Sequence, residues 1–214
     1  MIPEISIITC NFNHAKWIER CIRSVQNQLN FNSKLIEHII VDDCSSDNSI
    51  EVISKYSKNV KLIKNKDNIG LPSSINKAIK VSKGRYIMRL DSDDYLSRLF
   101  VQIHCLYLDH NRHFDAVSSD YLLVDNDENF IKREFSKNVF IACGILFRRE
   151  VLFELGLYNS NFKYREGHEL MKRFNKNKFR MGYSNYPLYK YRKHDMNRSN
   201  DKIIKEFDKK LNDE

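Results

Sequence analysis

The chain has 214 residues, 42% of them hydrophobic and 30% charged, a balance that suits a soluble α/β unit with a real core and excludes a disordered segment. A net charge of +8 points to an anionic partner, but the lysines and arginines are spread over residues 55–83 and 163–198 as on a solvated surface, not massed as a nucleic-acid footprint. Five cysteines, an odd number with no C-x-x-C pair, exclude a zinc ribbon and a disulfide framework and fit reduced thiols.

Residues 4–10, Glu-Ile-Ser-Ile-Ile-Thr-Cys, predict a buried strand, broken by Asn11-Phe12-Asn13-His14. A helix follows, with Trp17, Ile18, Cys21, Ile22 and Val25 on its apolar face. Residues 35–41 predict a second strand running into Asp42-Asp43, and Ser46 or Asp47 is placed to cap a helix over residues 49–56. Residues 60–63 form a short strand, 65–70 a loop, and 73–82 a helix stopped by Gly84. Residues 85–90 predict a fourth strand, which runs directly into Asp91-Ser92-Asp93-Asp94.

Strand and helix alternate through this half, as in parallel α/β sheets, where ligands bind beyond the carboxyl ends of the strands. Two acidic clusters follow two such ends. Carboxylates this close repel unless a cation lies among them, and a hard divalent ion takes carboxylate and phosphate oxygens together. Taken alone, a D-x-D is also a plain polar turn that caps the next helix.

The second half predicts a helix over residues 99–109, a strand over 116–124, a turn over 125–128 and a returning strand over 130–135. Then come a strand over 141–148, helices over 149–155 and 166–175, and a short strand over 187–191. Residues 201–211 predict an amphipathic tail helix with Ile204, Phe207 and Leu211 on one stripe.

The ordered series Ile-Ile-Thr-Cys-Asn-Phe-Asn13, Ile-Ile-Val-Asp-Asp-Cys-Ser-Ser-Asp-Asn48, Asn68-Ile-Gly70-Leu, and Gly84-Arg-Tyr-Ile with Leu-Asp-Ser-Asp-Asp94 resembles the family 2 glycosyltransferases of GT-A fold. The resemblance spans residues 3–198. It implies a Rossmann-like α/β/α sandwich around a mostly parallel sheet, with a small antiparallel element in the second half. One transferase domain would occupy residues 1–200, with a nucleotide-sugar half over 1–98, an acceptor half over 99–200, and the tail helix beyond, over 201–214.

The resemblance also implies roles. Cys10, Asn11 and Phe12 match the loop that touches base and ribose. Asp43 matches the acid that binds the base, commonly uracil, whereas Asp42 is structural. Asn68 and Gly70 belong to the same donor site. Asp91 lies near the ribose with Ser92 beside it, Asp93 binds Mn²⁺ or Mg²⁺, and Asp94 supports the turn. Many relatives carry an arginine just before Asn76, where this chain has Ile75; nearby Lys77 reads as a solvent-facing helix lysine.

Relatives start a helix with a Glu-Asp pair whose acid takes the acceptor proton. Here Glu166 is followed by Gly167, which cannot be a base. Glu166, Glu169 and His168 remain as candidates, in that order, and Glu169 is equally spaced for an i,i+4 ion pair with Arg173. Tyr191-Arg192-Lys193-His194 resembles the family's closing motif, whose histidine meets metal or diphosphate; Arg192, Lys193 and Arg198 would add positive charge there. The other histidines, His14 among them, and Trp17 read as structural or surface residues.

The implied activity is transfer of a sugar from a nucleotide-sugar, UDP-linked by analogy, to a saccharide or lipid-linked saccharide acceptor, with inversion, in polysaccharide or glycoconjugate synthesis. No nucleic-acid partner is expected. Two alternatives stay open: an impaired GT-A-like nucleotide-binding protein, favoured by Gly167 and Ile75, and a sugar nucleotidyltransferase, disfavoured by the absence of a Gly-rich basic loop after the first strand. Residues 1–10 lack a basic leader region, and no apolar run approaches the ~20 residues of a membrane span. The expected setting is cytoplasmic, with room for a peripheral contact at the inner membrane face.

Overall fold

The computed structural model describes residues 2–198 and 204–213. Strands β1 (Ile5–Asn11), β2 (Ile36–Asp42), β3 (Lys61–Lys64) and β4 (Tyr86–Arg89) pair in parallel in the order β3-β2-β1-β4. Helices α1 (Ala15–Gln26), α2 (Ser49–Ser54) and α3 (Leu71–Val81) connect them. In β1, Ile5 and Ile7 face one core while Ile8 faces the other, the period-2 alternation of a strand buried on both sides. The first core holds Ile18, Cys21 and Ile22 of α1; the second holds Ile75, Ala78 and Ile79 of α3. Asp47 serves both neighbouring helix starts, accepting from the Ala15 N–H at 2.9 Å and the Ser49 N–H at 3.0 Å.

The sheet continues through β8 (Leu146–Arg148), β6 (Ala116–Val124), β9 (Met181–Arg192) and β5 (Tyr95–Leu96), with β7 (Phe130–Glu134) returning beside β6 as the expected hairpin. Helix α4 (Phe100–His110) covers the first core; α5 (Arg149–Glu154) and α6 (Glu166–Lys176) cover the second. The α/β/α sandwich with antiparallel pairings in the second half is therefore present.

Three elements differ from expectation. The strand expected over residues 141–148 pairs only at Leu146–Arg148, because residues 141–145 turn aside to pack against α6 and β9. The strand expected over residues 187–191 begins at Met181, drawn out by parallel pairing with β6 along its length. The two-residue β5 has no sequence signal of its own; it forms because Tyr95 and Leu96 pair with Lys190 and Tyr189.

β5 places the acidic turn. It follows β4 by five residues yet lies four strand spacings away in the sheet order, about 19 Å if the sheet were flat. Residues 91–94 are a tight turn, with the Asp94 N–H donating to the Asp91 carbonyl at 3.1 Å. The sheet must therefore curl, bringing β9 and β5 back over the carboxyl end of β4. The described part of the tail helix, α7 (Ile204–Asp213), rests on the loop before α6; residues 201–203 of the expected helix lie outside the described residues.

Candidate active site

The carboxyl ends of β1, β2 and β4 carry the residues singled out in the sequence. Asp42 is fully buried and accepts from Asn11 Nδ2 at 2.9 Å, Ser45 Oγ at 2.6 Å and the Ser45 N–H at 3.0 Å, a structural clamp between strands. Asp43 next to it accepts from Asn65 Nδ2 at 2.7 Å, the Ile69 N–H at 3.0 Å and the Gly70 N–H at 2.9 Å. A carboxylate has about four acceptor sites, so one remains, on Oδ2. Gly70 has φ +82°, a conformation that suits glycine and aims its N–H at Asp43. Asn68 Oδ1 accepts from the same N–H at 3.2 Å, so the Asn68–Gly70 turn and Asp43 form one seat.

Lys77 stays exposed as expected, and its Nζ donates to Asn65 Oδ1 at 2.7 Å, extending that network. Asn11 is buried and its Oδ1 has no hydrogen-bond partner, whereas Phe12 is exposed over the strand end. Cys10 lies among Asp43, Arg89, Asp91 and Glu166; burial pushes its thiol well up, so it is a neutral wall of the site.

The acidic turn divides its labour. Asp94 is buried and accepts from Tyr189 Oη at 2.7 Å and the Arg192 N–H at 2.8 Å; burial, then the Asp93 and Asp91 charges, push its carboxyl well up. Asp93 Oδ2 meets His194 Nε2 at 2.9 Å and Asn197 Nδ2 at 3.4 Å. Burial opposes ionisation of Asp93, but the His194 hydrogen bond and the nearby His14 and His194 outweigh it and hold the carboxyl below its usual range. The Trp17 ring stacks on His194 at 4.1 Å, and His14 Nδ1 bonds Ser92 Oγ at 2.8 Å. Burial lowers the His14 pKa, with Asp93 acting against it.

Asp91 is gripped at both oxygens by Arg89, at 2.5 and 2.9 Å. The remaining arm of Arg89 donates to Glu166 Oε1 at 2.7 Å. Glu166 opens α6 beneath Arg165, whose φ is +60°. Glu169 gives both oxygens to Arg173, each at 2.6 Å, the spaced ion pair expected from the sequence. His168 packs edge-on to Phe140; burial and then Arg165 lower its pKa. A Cβ on Gly167 would meet the Ala142 Cβ at 2.1 Å, so the packing here excludes any side chain, an aspartate included.

Arg192 differs from the expectation that its charge would face the diphosphate. It is 2% exposed, donating to the Asp93 carbonyl at 2.9 Å, the Asn126 carbonyl at 2.8 Å and Glu128 at 3.0 Å. Arg89, His14, Trp17 and Asn197 join the site without having been singled out for it. A charged residue inside the apolar run Tyr-Ile-Met-Arg-Leu was the one available signal for Arg89.

Two donor sets are candidates for a divalent ion. Asp91, Asp94 and Cys143 bring donor atoms within 4.8 Å of one another. A hard cation does not suit them, because Asp94 is occupied by Tyr189 and Arg192 and burial keeps the Cys143 thiol protonated. Asp93 and His194 fit better. Their facing atoms lie 2.9 Å apart, and neighbouring ligands of an octahedral ion at 2.0–2.1 Å are separated by about 2.9 Å. An open concavity of about 560 Å³ lies elsewhere, beside Arg85, Asp109 and Arg148, where Arg85 pairs with Asp109 and Glu4 and Arg148 bonds backbone carbonyls.

The model of glycosyl transferase family 2 matches residues 6–156, and the chain belongs to that family. It is 42% identical over 107 residues to the chondroitin synthase of Pasteurella multocida, covering 49% of this chain and 11% of that protein. It is 34% identical over 120 residues to an uncharacterized glycosyltransferase of Haemophilus influenzae, covering 55% of this chain and 36% of that one. The chain thus spans about a third or less of these relatives' lengths.

Among solved structures, Staphylococcus aureus TarS 1–349 in complex with UDP-GlcNAc superposes with a TM-score of 0.76 at 22% identity, over 90% of this chain and 59% of that one. The mannosyltransferase PcManGT of Pyrobaculum calidifontis, in complex with GDP-Man and Mn²⁺, superposes with a TM-score of 0.74 at 14% identity, over 92% and 59%. These likenesses bear out the GT-A fold. Among the described residues no helix is long and apolar enough to cross a membrane.

Proposed function

We propose that this chain carries out glycosyl transfer from a UDP-linked sugar to an acceptor hydroxyl, with inversion and with a divalent ion, Mn²⁺ or Mg²⁺. The observation that supports the reading is the grouping, around Cys10 and the neighbouring strand ends, of the Asp43–Gly70 seat with Glu166 tied to Asp91 through Arg89, and the Asp93–His194 pair on the same acidic turn as Asp91.

In this reading the base of the donor lies over Cys10, Asn11 and Phe12, with its N–H donating to the open acceptor site of Asp43. Asp91 and Ser92 lie near the ribose, and Asn68 borders the seat. Asp93 and His194 would hold the ion, which when bound supplies positive charge to the departing diphosphate. Trp17 and His14 fix the His194 ring and Ser92 respectively, so these groups need little rearrangement on binding.

Glu166 is favoured over Glu169 and His168 as general base because among the described residues its hydrogen bond falls on Oε1 alone, whereas Arg173 takes both oxygens of Glu169 and His168 lies against Phe140. As the acceptor oxygen attacks the anomeric carbon, the bond from that carbon to the diphosphate breaks. The electron pair leaves with the diphosphate, and the acceptor proton passes to Glu166 Oε2. Such a base contributes about 10²–10⁴-fold. The acceptor would be a saccharide or lipid-linked saccharide, and the setting polysaccharide or glycoconjugate assembly, by analogy with relatives named as synthases.

The second reading, nucleotide binding without turnover, is favoured by Gly167. Release of UDP from a panel of UDP-sugars with Mn²⁺ and saccharide acceptors decides between them. Turnover that falls ~100-fold or more in Glu166→Gln supports transfer. UDP binding with no turnover on any donor supports the silent reading.

A further inference from the structure

We propose that Arg89 is a positioning residue that holds Glu166 in register with the donor-side Asp91, an inference that rests on the reading of Glu166 as base. Arg89 is the charged residue at the end of β4, and its side chain is 9% exposed. Its fork is fully directed: two nitrogens to Asp91 and one to Glu166. It shares with Ile75 and Tyr158 a cavity of about 10 Å³, walled chiefly by apolar side chains and room for no more than about one water. Among the described residues its side-chain hydrogen bonds run to these two carboxylates, which set its geometry.

Glu166 needs such a partner. It is the first residue of α6, where the helix does not yet fix the backbone through its own N–H groups, and the preceding Arg165 is left-handed. Among the described residues its hydrogen-bonded side-chain partner is Arg89, bound at Oε1, so Oε2 is the oxygen left for an acceptor proton. A planar fork can hold two carboxylates at one fixed separation, which a lysine cannot do. Arg89 thereby links a group assigned to the donor with one assigned to the acceptor, Glu166, which lies 77 residues from Arg89 in sequence.

The test is steady-state UDP release, with Mn²⁺ and water as acceptor, from whichever of UDP-glucose, UDP-galactose and UDP-N-acetylglucosamine turns over fastest, alongside calorimetric UDP affinity and thermal melting. Arg89→Met is expected to lower kcat about 30-fold while UDP affinity falls less than about 5-fold, and Arg89→Lys to restore only part of the rate. In the Glu166→Gln background the Arg89→Met loss should vanish, because the two residues act as one unit. A purely structural arginine would instead lower the melting temperature and multiply its full loss onto that of Glu166→Gln; that outcome, or an unchanged kcat, overturns the proposal. If Arg89→Met does not fold, Arg89→Lys, which keeps a charge in the buried site, carries the same cycle. A wild-type rate in Glu166→Gln, or no turnover of any donor, brings down the base assignment and this inference with it. A slow Glu166→Gln with full additivity brings down this inference alone.

Discussion

Ala142 decides what position 167 can hold. With 2.1 Å between the Ala142 Cβ and any Cβ at 167, Gly167→Asp must displace the 141–145 loop. Overpacking of this kind costs about 1–3 kcal/mol. We expect Gly167→Asp to melt several degrees below the parent and the added Ala142→Gly to recover most of that loss; a Gly167→Asp protein as stable as the parent would contradict the packing. The spacing of Glu166, Gly167 and Glu169 was plain in the sequence, and so was the Glu169–Arg173 pair. The contact from Ala142, 25 residues away, was not, because tertiary approach leaves no local trace.

The two acidic clusters show the same division. The structural roles that the resemblance implied for Asp42 and Asp94 agree with their hydrogen bonds to Asn11, Ser45, Tyr189 and Arg192, and the roles of Asp43, Asp91 and Asp93 toward a donor rest on that same resemblance. That Asp43 also anchors the Ile69 and Gly70 N–H groups was not legible in the sequence. Asp43→Ala would take an acceptor from Asn65 Nδ2 and from the Ile69 and Gly70 N–H groups, so Asp43→Asn is the cleaner probe. It is expected to weaken UDP binding about 10-fold with a small change in melting temperature, and unchanged affinity would remove Asp43 from the donor site.

Among the elements, the parallel half was readable because its strands are short, apolar and bounded by turns. The hairpin of β6 and β7 was readable from the turn expected over residues 125–128, in which Asp125 accepts from the Asp127 and Asn129 N–H groups. β9 was only partly readable, because residues 181–187 include Gly182, Asn185 and Pro187, which strands disfavour, and gain their strand geometry from β6. Helix α7 showed its stripe in advance, and Phe207 does pack on Phe162 and Tyr164, while Asp208 pairs with Arg165. The Asp208 pair is partly exposed and contributes little. Phe207 is therefore the anchor, and Phe207→Ala should speed amide hydrogen exchange over residues 161–165 and α7 while leaving β1 to β4 protected. Unchanged exchange at 161–165 would mean that the helix does not brace the approach to Glu166.

At the scale of the whole molecule, two buried histidines set an acid limit. Burial pushes His38 and His104 down to about 3 from the ordinary 6.5. The unfolded chain therefore takes up protons between about pH 6.5 and 3 that the folded chain refuses. Their contribution is complete above that window and is lost as pH falls through it, by up to about 1.4 kcal/mol per pH unit for each. Both nitrogens of His104 lack partners, so His104→Leu should cost little at pH 7 and make stability in urea fall less steeply between pH 6 and 4. An unchanged slope would contradict the buried neutral histidine.

The central claim is that one crevice grips a nucleoside with Asp43 while Asp93 and His194 hold a cation against its phosphates. Calorimetric titration of UDP, with and without Mn²⁺, into the parent chain and Asp93→Ala tests it most directly. The account predicts that Mn²⁺ raises UDP affinity at least ~10-fold in the parent and leaves Asp93→Ala unmoved. Equal Mn²⁺ enhancement in both proteins, or no UDP binding to the parent, would contradict it.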